Sequence, residues 1–222
     1  MRQIVLDTET SGLNYEKDRI IEIGCLELID GIYTGKKFHK YYKPENIVIS
    51  SEAEQIHGLN NSFLSNFPTF DEDIDNFIEF MDYSQLIIHN AQFDLSMINE
   101  SLKRLSKNQI KKSDTLCTLE MAKKKFPGSK NNLNALCRRF DISLENRQKH
   151  GALTDSFLLL KVFNELIGGK QNILKLNVVE NDQAEELKKI SFEHLPEINL
   201  TQKDIHNHKI MLRKLKKNIW YN

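Results

Sequence analysis

The sequence predicts an α/β domain, a sheet covered by helices, followed by a tail of different character. Three observations carry this. Four short runs of strand character fill the chain up to Asn90, helical spacing dominates from there to Ile167, and apolar periodicity breaks off at Gly168-Gly169.

Residues 3–7 (QIVLD) are apolar and β-branched and run into TETSGL, where a glycine punctuates a turn, so they predict a buried strand. Residues 19–28 (RIIEIGCLEL) alternate apolar and polar side chains as a second strand, and 31–44 (GIYTGKKFHKYYKP) form a third, stopped by Pro44. In 71–82 (DEDIDNFIEFMD), Ile74, Phe77, Ile78 and Met81 recur at helical spacing. Residues 85–90 (QLIIHN) form a fourth strand that leads into a helix from Asp94 to Leu105. A helix over 114–126 halts before Pro127-Gly128, and a short one covers 132–140 (NLNALCRRF). The segment 152–167 is a long helix with Leu158, Leu159, Val162, Phe163 and Leu166 on its apolar face, closed by the two glycines. Beyond them, 177–204 is polar and acidic. TQKD at 201–204 has the form of a capping box, and Ile205, Leu212, Leu215 and Ile219 then share one helical stripe ending at Trp220.

At 222 residues the chain can bury one sizeable core and carry an appendage. Lys plus Arg and Asp plus Glu number 31 each. A dedicated, tight nucleic-acid binder ordinarily has a basic excess, so a nucleic-acid role here implies transient engagement or affinity supplied by a partner. Cys25, Cys117 and Cys137 are widely spaced, with no zinc pairing and no disulfide framework, and read as buried thiols of a cytosolic protein. The start MRQ runs straight into a strand, and no apolar stretch approaches the ~20 residues of a membrane span. A cytoplasmic protein with no membrane partner is expected.

Asp7 and Glu9 stand two apart at a strand end, so both carboxylates share one face. Like charges side by side resist ionisation unless a cation joins them. The bland alternative has one acid capping a turn and the other in solvent. Asp94 lies where a buried strand hands over to a helix, where an anion is favoured and where a helix cap needs no further role. Asp155 sits one turn inside the long helix, and His150 precedes it, so a loop histidine and a helix aspartate can face a common point. Each feature alone has an ordinary structural explanation.

The full order DxE, HNxxFD, HxxxxD is more specific. DTET (7–10), HNAQFD (89–94) and HGALTD (150–155) resemble the three motifs of the DEDDh exonucleases. IVLDTETSGL, RIIEIG, LIIHN and KKKFPGSKNNLNALCRRF sharpen the likeness toward the proofreading nucleases of bacterial replicases, over residues 1–169. The resemblance implies a ribonuclease-H-like fold, a mixed five-stranded sheet flanked by helices. It also implies 3′→5′ removal of terminal nucleotides from an unpaired or frayed DNA end, releasing 5′-mononucleotides. Four carboxylates form a hard oxygen cage suited to two Mg²⁺ or Mn²⁺ ions, which neutralise the acids and clamp the attacking and leaving oxygens. By resemblance Asp7 bridges both ions, Glu9 and Asp155 hold one, Asp94 completes the other, and His150 is the general base. Asp7, Glu9 and Asp155 thereby also face substrate. Glu52 and His57 match the glutamate and histidine that hold the terminal nucleotide, with Thr8 and Thr10 contributing backbone contacts. His89 is expected to support the strand–helix junction.

Residues 170–200 read as a flexible linker, in which Gln171, Leu174 and Leu176 look like a peptide for the sliding clamp. Residues 201–222 resemble a tail that binds the polymerase alpha subunit, with Leu212, Leu215 and Trp220 as anchors. A small theta-like subunit is a further partner implied by the resemblance. Two other readings are a ribonuclease trimming RNA 3′ ends and a non-catalytic tether between polymerase and clamp. The tail disfavours the first, and the presence of all five catalytic positions disfavours the second.

Overall fold

The computed structural model describes residues 1–145, 147, 149–168 and 201–214. The chain divides into two units, Met1–Leu174 and Lys175–Asn222. In the first, β1 (Arg2–Thr10), β2 (Ile20–Ile29), β3 (Ile32–Tyr41), β4 (Gln85–Ile88) and β5 (Thr115–Cys117) form a mixed sheet in the order β3-β2-β1-β4-β5. The β1–β2 and β2–β3 pairs are antiparallel, while β4 and β5 join in parallel. This is the five-stranded sheet the motifs implied.

Alternation along β1 splits the core. Ile4 and Leu6 face α3 (Phe70–Met81) and α4 (Ala91–Arg104), packing with Phe77, Ile74, Leu95 and Ile98. Val5 faces the opposite layer, where α6 (Leu133–Arg139) and α7 (Ala152–Ile167) bury Leu136, Leu159, Val162 and Phe163. The capping box Thr69/Glu72 starts α3. Cys25 and Cys137 are buried free thiols, as expected, whereas Cys117 at the sheet edge is half-buried.

Three local expectations change. The segment 114–126 is not one helix: Thr115–Cys117 pairs in parallel with β4 before α5 (Thr118–Lys125) begins, and three residues are too few to display a period of two. Two short helices, α1 (Ser51–His57) and α2 (Asn61–Leu64), occupy a segment for which the sequence predicted no element. They cover a small third cluster of Ile21, Ile49 and Leu64 and are capped by Ser50 and Asn60. Helix α4 begins at Ala91, with Asn90 as its left-handed N-cap, so Asp94 is a first-turn residue rather than the cap.

In the second unit, α8 (Gln202–Lys214) opens with the expected capping box. The Asp204 N–H donates to Thr201 Oγ1 at 3.2 Å and the Thr201 N–H to Asp204 Oδ2 at 3.0 Å. Leu212 lies on α8, but Gln171, Leu174, Leu176, Leu215, Ile219 and Trp220 fall outside the described residues. No helix among the described residues is long and apolar enough to cross a membrane.

Candidate active site

The acids gather where β1 ends. Asp7 is opposite Gly24 and Glu9 opposite Glu22 across the β1–β2 pair, and both lie on the α7 side of the sheet with Val5. Gly24 explains how α7 comes so close. A Cβ there would meet the backbone of Ala152 and Leu153 at 2.4 Å, and Ser156 Oγ donates to the Gly24 carbonyl at 2.8 Å. The first turn of α7 therefore rests directly on β2 and delivers Asp155, 3% exposed, to the strand end. We predict that Gly24→Ala lifts this turn, destabilising the fold by about 1–3 kcal/mol as overpacking and lowering exonuclease activity. Paired urea melts and rate assays check it, and a variant with unchanged stability would contradict the close approach.

His150 is fixed from both sides. Its N–H donates to the Ile56 carbonyl at 3.1 Å, tying the loop to α1, and its Nδ1 lies 3.4 Å from Asp155 Oδ2. Ligand atoms of Glu9, His150 and Asp155 all lie within 4.8 Å of one another. From the other layer, Asp94 accepts a hydrogen bond from Thr8 Oγ at 2.7 Å and is 4% exposed. Thr8 alternates with Asp7 along β1, so one strand holds Asp7 and steers Asp94.

The electrostatics record the crowding. Burial pushes the Asp7 carboxyl well above the usual carboxylate range, and Asp94, Glu9 and Asp155 push it further. Glu9 rises to about 8, through burial first and then Asp155 and Glu22. Asp94 rises to about 7 through burial, against the hydrogen bonds from Thr8 and its own backbone. One cation opposes this at both Asp7 and Glu9: Arg147, from the loop before α7, whose guanidinium grips both oxygens of Asp155. Buried acids that resist ionisation, with oxygens and a histidine nitrogen turned toward one point, fit a divalent-cation centre.

The remaining expected residues divide. His57 is buried at the end of α1, its Nδ1 accepting from the Leu59 N–H at 3.0 Å and its ring also facing the Thr10 backbone. Burial lowers its pKa. It directly follows Ile56, whose carbonyl anchors the His150 N–H. Glu52 is solvent-exposed in the first turn of α1 and is not drawn into the acid cluster. His89 meets Thr118 Oγ1 at 2.9 Å and is lowered to about 4 by burial, the position of a residue that braces β4 against α5.

The exonuclease family matches residues 4–163. The chain is 40% identical over 225 residues to the DNA polymerase III subunit epsilon of Rickettsia conorii, covering 98% of this chain and 97% of that protein. It is 41% identical over 181 residues to the subunit epsilon of Escherichia coli, covering 78% and 74% respectively. The chain belongs to the DNA polymerase III epsilon-subunit family of exonucleases. A solved structure of exonuclease X in complex with 5′ overhanging duplex DNA shares its fold, with TM-score 0.57, 24% identity, and coverage of 75% of this chain and 93% of that one. As an epsilon-family member the chain is a 3′→5′ exonuclease of the proofreading kind, and its exonuclease family is metal-dependent.

Two residues beside the acid cluster escaped the sequence analysis. Glu22, 3% exposed and held at 2.8 Å by His39 Nε2, is a fifth acid beside Glu9; its position directly across β1–β2 was readable only once the register was known. Arg147 carries no signal of period or motif. Its distance of three residues from His150 is the one trace it leaves.

Proposed function

We propose that this chain excises mispaired 3′-terminal nucleotides from DNA during replication. Asp7, Glu9, Asp94 and Asp155 would hold two divalent cations, Mg²⁺ or Mn²⁺, which would supply charge neutralisation and leaving-oxygen stabilisation at the scissile phosphodiester. The observation that carries this is the convergence of those four carboxylates and His150 on one strand end, with burial raising the carboxyls of Asp7, Glu9 and Asp94 above their usual range. Crowding of that kind needs compensating positive charge at working pH.

His150 takes the proton of the attacking water. Burial and the neighbouring Arg147 lower its pKa, which favours the neutral, proton-accepting form of the ring. His57, beside the Thr10 backbone, and Glu52 hold the terminal nucleotide. Asp94, fixed by Thr8, keeps its oxygens aligned without a search over rotamers.

The test is cation-dependent digestion of a 3′-labelled DNA oligonucleotide beside its RNA equivalent. The expected result is release of labelled mononucleotide from DNA with Mg²⁺ or Mn²⁺ and none after chelation. Faster cleavage of RNA would replace this reading with RNA 3′-end trimming.

The domain plan that goes with this function has 1–169 as exonuclease, 170–200 as linker with a clamp peptide at Gln171, Leu174 and Leu176, and 201–222 as polymerase-binding tail. The balanced charge of the chain supports affinity supplied by such partners, namely the polymerase alpha subunit, the sliding clamp and a small theta-like subunit in the cytoplasm. Truncation at about residue 180 should leave digestion of free single strands intact and abolish co-purification with the polymerase. Retained co-purification would refute the tail assignment.

A further inference from the structure

Arg147 occupies the atoms that the reaction needs. Its Nε donates to Asp155 Oδ1 at 2.5 Å, and its Nη2 donates both to Asp155 Oδ2 and, at 2.9 Å, to His150 Nδ1. Its Nη1 donates to Asn134 Oδ1 on α6. Only 6% of the side chain is exposed. The guanidinium is charged at every working pH and its donors form a rigid fork that matches a carboxylate. Both oxygens of Asp155 and the inward nitrogen of His150 are therefore engaged at once. These same groups, with Glu9, make up the cluster able to hold an ion.

A divalent ion on that cluster and a guanidinium on the same atoms are like charges competing for one set of lone pairs. Space for the loser lies alongside. A cavity of about 410 Å³ is lined by Arg147 itself with Gln55, Asn134 and Leu144, and also by Arg138, Lys149 and His150. The Asn134 bond already holds one end of the guanidinium toward that side.

Resting on the metal-site reading above, we propose that Arg147 is an internal counter-ion that holds Asp155 and His150 in the metal-free protein and is displaced by the incoming divalent cation. Displacement does two things together: it frees Asp155 as a ligand and uncovers His150 Nδ1 as a proton acceptor. The protein thus keeps its acid cluster folded without metal, and its base stays blocked until metal arrives.

The test measures binding rather than turnover. Mn²⁺ is titrated calorimetrically into the full chain, wild type beside Arg147→Gln and Arg147→Lys, with melting temperatures taken in EDTA and in saturating Mg²⁺. The expected result is that Arg147→Gln melts lower in EDTA, binds Mn²⁺ about tenfold tighter, and gains more in melting temperature on adding Mg²⁺; Arg147→Lys, which keeps the charge but loses the fork, falls between. A merely structural arginine would lower both melting temperatures alike and leave the affinity unchanged, and that result, or weaker binding by Arg147→Gln, overturns the proposal. Should the variants not fold, the arginine Nε–Hε resonance of Arg147 in the wild type decides. It should shift or vanish when Mg²⁺ saturates the site, and an unmoved resonance overturns the displacement. A wild type that binds no Mn²⁺ sinks the metal-site reading itself, whereas equal binding by wild type and variant sinks the displacement alone.

Discussion

Asp7→Asn should cost on the order of 10³-fold in exonuclease rate and yet raise the melting temperature of the metal-free protein at alkaline pH. Asp7 sits at the centre of the acid cluster, with Asp94, Glu9 and Asp155 all raising its pKa after burial has done so. Asparagine keeps the shape but neither the charge nor a second acceptor oxygen for a cation. The stability arm follows from linkage. An acid whose folded pKa is raised binds more protons folded than unfolded, so its contribution worsens as pH climbs from its unfolded value toward the folded one. Glu9, raised to about 8, and Asp94, raised to about 7, put that window between about pH 4 and pH 8. Melting in EDTA at pH 5, 7 and 9 should show wild type losing stability steadily. The variant should lose less, because removing one charge also relaxes its neighbours. Saturating Mg²⁺ should reverse the order at pH 9, since the cation binds the ionised carboxylates that destabilise the empty site. If Asp7→Asn melted below wild type at pH 9 in EDTA, the acids would not be in conflict and the electrostatic account would fail.

The same crowding explains which parts of the molecule were readable in the amino-acid order. Asp7, Glu9, Asp94, His150 and Asp155 announce themselves because each occupies an element boundary whose signals are local. β1 is a buried β-branched run, β4 hands over to α4, and α7 has a strong apolar face bounded by glycines. Periodicity located those boundaries, and the motif order joined them. What periodicity cannot reach is a short or cross-strand relation. Glu22 meets Glu9 only through the antiparallel register, which depends on turn geometry between Ser11 and Arg19. β5 has three residues and borrows its identity from the parallel partner β4. Asp94 read as a cap because an aspartate after a strand usually is one. Asn90 takes that position in the left-handed conformation, releasing Asp94 to accept from Thr8. Arg147 is the extreme case. It stands in a polar loop with nothing to distinguish it, and its role depends wholly on the fold bringing Asp155, His150 and Asn134 around it.

His150→Gln should lower kcat by a factor of about 10²–10⁴ with little change in KM, and should flatten the acid limb of the pH profile. Burial lowers the His150 pKa first and Arg147 second, against a smaller opposing pull from Asp155, and burial is the cause that remains once metal displaces Arg147. The sign fixes the direction of the limb. A base with a lowered pKa stays neutral further into acid, so activity persists below the ordinary histidine range and falls as pH drops through the lowered value. Glutamine keeps a polar group in the loop but has no proton affinity, so its residual rate should not depend on pH through that group. Profiles of kcat/KM from pH 5 to 9, taken at saturating Mn²⁺ so that ligand protonation does not limit binding, separate the two sources of an acid limb. An unchanged limb in His150→Gln would assign it to the carboxylates of Glu9 and Asp94 and remove His150 from the proton transfer. The geometry argues against that outcome. The His150 backbone is pinned to Ile56 while its Nδ1 is aimed at the cluster, an expensive arrangement for a histidine 43% exposed that had no proton to move.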